Sequence, residues 1–409
     1  MPFAFEHSLQ CRKDFPALNH VRSDGLKIAY LDGPGGSQVP QAVIDAITDV
    51  YTTCNVNTHG NFPPSAEIDR RMQRAREVLA DFLGAQDASC ISFGQNMTTL
   101  NYALSAAIGQ TLHPGDEILV TQLDHEANRG PWLRLQQRGI VVQEVRLLPS
   151  GVLDTADMAA KITPRTKLFA LGASSNALGT VNDLKLARRL TRDVDALLVV
   201  DAVHYAPHFP LDVQELGVDF LLCSAYKFYG PHVGVLYSRP GALNALPTNR
   251  LVVQDPNAPY RIETGTLNHA AIDGARAAVE YLASWGSGAS LRERIVDAMA
   301  GISAYEHQLA QSFHEAVGDI DGVRIFGPDF SSDERAPTVS ITLDNMTAEE
   351  AAKALGKQGI CVWDGNFYAS RAIEILGLAA RGGLLRTGVS MYSTPEDLDR
   401  LLAGIRRLA

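Results

Sequence analysis

The sequence predicts a doubly wound α/β domain followed by a smaller α+β domain, and three observations carry that expectation. Short apolar runs alternate with helical patterns from about residue 41 to about residue 237, an alternation that builds a sheet with helices on both faces. Several runs, such as Ala196-Leu197-Leu198-Val199-Val200, are apolar throughout rather than at every second position, as suits strands buried on both faces of a parallel sheet. Beyond about residue 267 the alternation gives way to long helical stretches.

In chain order, helices are expected over 41–53 and 65–83, the second following Pro63-Pro64-Ser65 and stopping at Gly84. Strand 90–93, helix 98–108, strand 117–122, helix 127–138 and strand 140–146 come next. Helix 155–162, strand 167–173, helix 183–192 and strand 196–200 continue the pattern, and strands 218–223 and 233–237 complete a set of seven. The remainder reads as helix 268–286, a small flexible break at Gly286-Ser287-Gly288, helix 290–317, strands 323–326, 337–343 and 384–390, and helices 347–358 and 395–408. Gly33-Pro34-Gly35-Gly36 and Gly382-Gly383 read as loops. The expected organisation is an N-terminal segment over 1–30 that packs with the small domain, a large domain over 31–286 and a small domain over 287–409.

Composition narrows the function. With 36 Lys+Arg against 46 Asp+Glu the net charge of the 409-residue chain is −10, which argues against nucleic acid as a partner because non-specific binding needs a basic footprint. The longest wholly apolar stretches are a few residues, whereas a membrane span needs about twenty, so no membrane partner is expected. Met1 to His7 lacks the basic start and apolar run of a secretory signal. The five cysteines, Cys11, Cys54, Cys90, Cys223 and Cys361, are odd in number and contain no C-x-x-C pair. Neither a disulfide framework nor a cysteine zinc site is expected, and the expected compartment is the cytoplasm.

Ligands of open α/β sheets bind beyond the carboxyl ends of the strands, so the residues following each apolar run matter most. Strand 196–200 runs into Asp201-Ala202-Val203-His204, and strand 218–223 into Ser224-Ala225-Tyr226-Lys227. Strand 167–173 is followed by Ser174-Ser175-Asn176, strand 117–122 by Asp124-His125, and strand 90–93 by Gly94 to Thr99 at the start of a helix. This set suits pyridoxal 5'-phosphate, which needs a lysine for its Schiff base and a carboxylate on its pyridine nitrogen. An imidazole can stack on the ring, and a helix N-terminus with hydroxyls can hold the phosphate.

At these residues the sequence resembles the class V aminotransferases of fold type I, most closely their cysteine desulfurase-like branch. The resemblance runs from Tyr30-Leu31-Asp32-Gly33 to the C-terminal helix. It rests on Ser65-Ala66-Glu67, Ser175-Asn176-Ala177-Leu178-Gly179-Thr180, Ser224-x-x-Lys227-x-Tyr229-Gly230-Pro231, Glu263-Thr264-Gly265-Thr266 and Arg386-x-Gly388-x-Ser390-x-Tyr392-x-Thr394-Pro395-Glu396. It implies that Lys227 forms the Schiff base, Asp201 pairs with the pyridinium and His125 stacks on the ring, with Asn176 and His204 on the phenolic oxygen side. Met97, Thr98 and Ser224 would hold the phosphate. Thr266 would reach the phosphate of a neighbouring subunit, which implies a homodimer. Arg386 would bind the α-carboxylate of an amino-acid substrate. Apart from the resemblance, Asn57 and His59 in the loop 55–62, together with Tyr368, are expected near the substrate mouth.

The resemblance also implies a loop cysteine that takes sulfur as a persulfide, and there the sequence departs. In Gly359-Ile360-Cys361-Val362-Trp363-Asp364-Gly365-Asn366-Phe367-Tyr368 the arginine position reads Trp363 and the cysteine position Tyr368; Tyr226 stands where desulfurases commonly have histidine. The expected reaction is therefore β-elimination by a carbon–sulfur lyase, with class V transamination or amino-acid epimerisation or racemisation as alternatives. A catalytically silent partner protein and a metal hydrolase using Asp201, His204, His208, Asp124 and His125 are further alternatives. Retention of Lys227, Asp201 and Arg386 opposes the first, and Pro207 between the two histidines opposes the second. No metal is expected.

Overall fold

The computed structural model describes residues 3–21, 25–332 and 334–409. β1 (Ala29–Tyr30) lies outside the main sheet, whose strands are β2 (Ile91–Gly94), β3 (Glu117–Thr121), β4 (Val141–Val145), β5 (Thr166–Gly172), β6 (Leu197–Asp201), β7 (Phe220–Ser224) and β8 (Gly234–Ser238). These are the seven expected strands, each within two residues of its expected bounds. Their order is β2-β8-β7-β6-β5-β3-β4. The ladders from β4 to β7 are parallel, and β8 runs antiparallel to both neighbours. The short link from β7 to β8 leaves no room for the crossover a parallel pair requires.

The continuous apolar run has a direct structural cause. Leu198 and Val200 of β6 enter the core layer on one face of the sheet, and Val199 enters the layer on the other. Leu198 to Val200 are therefore all buried, and a polar residue is admitted at the strand's end, where Asp201 sits level with Gly172 of β5 and Leu222 of β7.

The C-terminal part carries a four-stranded antiparallel sheet, β12-β13-β10-β9, from β9 (Val323–Phe326), β10 (Thr338–Leu343), β12 (Trp363–Gly365) and β13 (Leu384–Gly388). Between β10 and β12, β11 (Ile360–Cys361) pairs in parallel with β1, Tyr30 opposite Cys361. β1, β11 and β12 escape a reading by pattern because two or three residues show no periodicity. The helices agree with expectation over Gln41–Thr53, Leu291–Gly318 and Pro395–Leu408. The stretch expected as helix 127–138 divides into an α-helix over Glu126–Leu133 and a 3₁₀ turn over Arg134–Arg138, with Pro131 inside the first piece lacking the N–H an α-helix uses.

The chain start is tied to the end. Arg12 pairs with Asp397 at 2.8 Å and donates to the Tyr392 carbonyl, and Gly388 N donates to the Leu31 carbonyl. This lays Asp32 beside Arg386. Among the described residues no helix is long and apolar enough to cross a membrane.

Candidate active site

A cavity of about 560 Å³ opens at the carboxyl ends of β5, β6 and β7, and Lys227, Asp201, His125, Asn176, His204, Ser224, Met97 and Thr98 all line it. Residues far apart in sequence meet there because parallel strands present their carboxyl ends at one edge.

One end of the cavity is built for an anion. Helix Met97–Gly109 starts there, capped by the Asn96 side chain accepting from Thr99 N at 2.9 Å, and Met97 N donates to Ser224 Oγ at 3.0 Å. Gly234 permits this approach, since a Cβ on it would lie 2.4 Å from the Asn96 carbonyl carbon. The other end is built for a cation. Asp201 is buried and its Oδ1 accepts from Val203 N at 2.9 Å. Burial, with Asp124 adding to it, raises its carboxyl to about 7. Asp124 is itself raised to about 6 by burial, although Gly172 N and Asn128 Nδ2 donate to it at 2.9 and 3.1 Å. Two buried carboxyls held this high favour a positively charged group beside them.

Lys227 follows β7 in a 3₁₀ turn and donates to the Pro34 carbonyl. Burial, with Arg386 acting in the same sense, brings its amine down to about 7, so a large neutral fraction is available as nucleophile or base near neutral pH. His125 caps helix Glu126–Leu133, its Nδ1 accepting from Ala127 N at 2.9 Å. That contact leaves the hydrogen of the neutral ring on Nε2, and burial lowers the imidazole to about 4.

Arg386 is buried. Its Nη2 donates to Asp32 Oδ1 at 2.8 Å and its Nη1 to the Asn176 carbonyl at 3.1 Å. The guanidinium carbon stands 4.3 Å from the centre of the Phe367 ring. Asn176 Nδ2 donates to the Phe367 carbonyl at 2.9 Å. Tyr368 is 72% exposed, its ring centre 5.5 Å from that of His125. Both Phe367 and Tyr368 have positive φ, 54° and 56°, a conformation that bulky residues adopt only when their surroundings impose it.

Three expected site residues stand elsewhere. Thr266 is exposed and shares a cleft of about 420 Å³ with Asn57, and neither lines the Lys227 cavity. His59 is exposed, with Nδ1 3.2 Å from Asp69. Sequence reasoning in turn missed Asp124 as a companion of Asp201, Asp32 as the partner of Arg386, and the stacked pair Tyr226–His232, whose ring centres are 4.9 Å apart on the cavity wall. Asp124 alone gave a signal, as an acid closing an apolar strand.

The residues fit pyridoxal phosphate. Asn176 Oδ1, His204 Nδ1 and Ser174 Oγ, all from cavity-lining residues, are buried without a protein partner, as polar atoms awaiting a polar ligand are. Among the described residues no cluster of three or more His, Cys, Asp and Glu is placed to hold a metal ion. Fold and cavity together define a pyridoxal-phosphate enzyme of fold type I.

Comparison with known proteins narrows the class. The family model "Aminotransferase class-V" matches residues 29–401. A cysteine desulfurase of Pectobacterium atrosepticum is 30% identical over 413 residues, covering 97% of both chains. A probable cysteine desulfurase of Streptomyces coelicolor is 31% identical, covering 97% of this chain and 96% of the relative. A solved cysteine desulfurase of Escherichia coli superposes with a TM-score of 0.84 at 28% identity, covering 98% of each chain. The chain belongs to the aminotransferase class-V family. It is a pyridoxal-phosphate-dependent, cysteine desulfurase-like enzyme of the carbon–sulfur lyase type.

Proposed function

We propose that the protein cleaves the Cβ–S bond of a sulfur-bearing amino acid by β-elimination, releasing a thiol or sulfide without passing sulfur to a protein cysteine. One observation carries this reading: Phe367 and Tyr368 occupy the stretch where the resemblance calls for a sulfur-accepting thiol, and both are fastened down. Asn176 Nδ2 holds the Phe367 carbonyl at 2.9 Å and Glu126 N holds the Tyr368 carbonyl at 2.7 Å. Among the described residues no cysteine lines the cavity. Cys11, Cys54, Cys90 and Cys223 are buried, and Cys361 lies in β11 opposite Tyr30. Burial pushes the Cys223 thiol far above its ordinary value, away from the reactive thiolate.

In this reading Arg386 orients the substrate carboxylate with a planar donor. Bound in the cavity, pyridoxal phosphate supplies an electron sink for negative charge at Cα. Lys227 would hold the cofactor through Nζ and, when free, would take the Cα proton on that atom. Asp201 would hold the positive charge of the ring nitrogen, His125 would cover the ring, Asn176 and His204 would present polar groups to its phenolic oxygen side, and Met97, Thr98 and Ser224 would receive the phosphate. The departing sulfur would keep the Cβ–S electron pair and take back from Lys227 Nζ the proton removed from Cα. With one water the net products would be a thiol or sulfide, ammonia and a keto acid.

We also assign a homodimer with large and small domains over 31–286 and 287–409. Thr266 is exposed and stands outside its own chain's cavity, which supports a role toward the second copy. Asn57 and His59 would serve the substrate mouth. An odd number of cysteines with no C-x-x-C pair is what supports the cytoplasm as the compartment. A panel of amino acids, with pyruvate, ammonia, sulfide and other keto acids read separately, tests the function. Pyruvate together with a thiol from an S-substituted cysteine supports it, and a keto acid formed with no thiol contradicts it.

A further inference from the structure

Behind the cavity wall two buried titratable groups that the reaction does not use, His208 and Glu306, extend from His204 of the site. His208 Nδ1 is 2.7 Å from Glu306 Oε2. His208 and His204 meet edge to face, ring centres 5.2 Å apart at 78°, and His204 Nε2 is 3.0 Å from Thr338 Oγ1. All three titratable side chains are at least 97% buried, with exposures of 3%, 3% and 1% for His204, His208 and Glu306. Each histidine leaves one ring nitrogen without a partner, Nδ1 of His204 and Nε2 of His208. Only His204 of the three lines the cavity.

Two ring nitrogens fixed by Thr338 and Glu306 leave two whose hydrogens are undecided, and those two belong to touching rings. We propose that Glu306 and His208 are positioning residues for His204: the proton they share decides which His204 ring nitrogen carries hydrogen at the cavity wall. When His208 holds the added proton, its Nε2 is an N–H and its ring is positive, which favours a lone pair on His204 Nδ1 and the His204 hydrogen on Nε2, toward Thr338. When the pair has lost that proton to solvent, Glu306 is a carboxylate, His208 is neutral with its hydrogen on Nδ1 and a lone pair on Nε2, and the charge that disfavours a hydrogen on His204 Nδ1 is gone. The pair exchanges one proton with solvent, the His204 hydrogen moves between its own two ring nitrogens, and no bond to carbon forms or breaks. The carboxyl of Glu306 is raised and the His204 imidazole is held well below its ordinary value, both chiefly by burial, so an added proton is disfavoured on His204.

The surrounding groups are few. Tyr229 OH donates to Glu306 Oε1 at 3.5 Å and accepts from Met391 N. Cys11, Tyr305 and Tyr392 feel the Glu306 charge, and Lys227, Arg386 and Arg335 bear on His204. The inference rests on the proposed seat of the cofactor in this cavity, because the cofactor's visible absorption is what reports His204.

The test is a pH titration of that absorption in the purified holoenzyme, for wild type, Glu306→Gln and His208→Asn, with Glu306→Asp as the conservative variant. The expected result is a midpoint moved by about one pH unit or more in the first two variants, a change of about 1.4 kcal/mol per unit, with Glu306→Asp close to wild type. Should Glu306→Gln fail to fold, His208→Asn decides by the same criterion. Folded variants whose titrations superimpose on wild type overturn the inference and leave the cofactor seat standing. A wild-type protein with no visible absorption overturns both.

Discussion

Arg386 lies flat against Phe367, its guanidinium carbon 4.3 Å from the ring centre, while its Nη2 is held 2.8 Å from Asp32. The proposed carboxylate-binding group is thus oriented before substrate arrives, by one residue from each end of the chain. A desolvated cation–π contact contributes about 2 kcal/mol, and losing it would leave the guanidinium free to turn.

Phe367→Ala is therefore expected to raise KM for the amino acid about tenfold and to change kcat less. Steady-state kinetics check this. A loss confined to kcat would contradict the positioning role.

Lys227 is the expected attachment point of the cofactor. Borohydride reduction followed by peptide mass spectrometry should place the adduct on the peptide containing Lys227, and Lys227→Ala should abolish turnover. An adduct on Lys167 or Lys185 would refute the assignment.

Asp201→Asn removes the charge facing the ring nitrogen. Turnover should fall by more than about 10²-fold, the low end for a single acid–base group, with Asp201→Glu retaining part of the activity. Normal turnover in Asp201→Asn would place the carboxylate partner elsewhere.

The cofactor-free protein should have an unusual dependence of stability on pH. The folded pKa values of Asp201 and Asp124, about 7 and about 6, lie above the ordinary 3.8, so between these values the native state binds more protons than the unfolded chain. Stability then falls as pH rises from about 4 to about 7, by about 1.4 kcal/mol for each unit of raised pKa. Lys227 acts oppositely at higher pH: its pKa is lowered to about 7, so stability recovers as pH rises beyond 7 toward the ordinary lysine value. Thermal melts of wild type and Asp201→Asn compare the slopes. An equal slope in both would refute the assignment to Asp201.

The order of strands and helices was legible because burial on two faces leaves a continuous apolar run, as at Leu197 to Val200. Lys227, Asp201, His125 and Ser224 were legible because each ends or follows such a run, and their neighbours match a family pattern. Asp32 was not read as the partner of Arg386, since the two are 354 positions apart and are brought together by the lacing of Leu31 and Gly33 against Gly388. Tyr226–His232 and Phe367 were missed as wall and platform because an aromatic residue reads as core until its neighbours are known. Thr266 came from the family pattern and Asn57 and His59 from their place in the loop 55–62, and within one chain none of the three lines the cavity.

The central claim is elimination of sulfur without a protein persulfide. Its most direct test is the product formed from cysteine and from an S-alkyl cysteine, by wild type and by Cys361→Ala, with the intact protein mass measured alongside. The account predicts pyruvate, ammonia and the corresponding sulfide or thiol, no added sulfur on the protein, and most of the activity retained in Cys361→Ala. Alanine as the carbon product, with a persulfide on Cys361 and a folded but inactive Cys361→Ala, would contradict it.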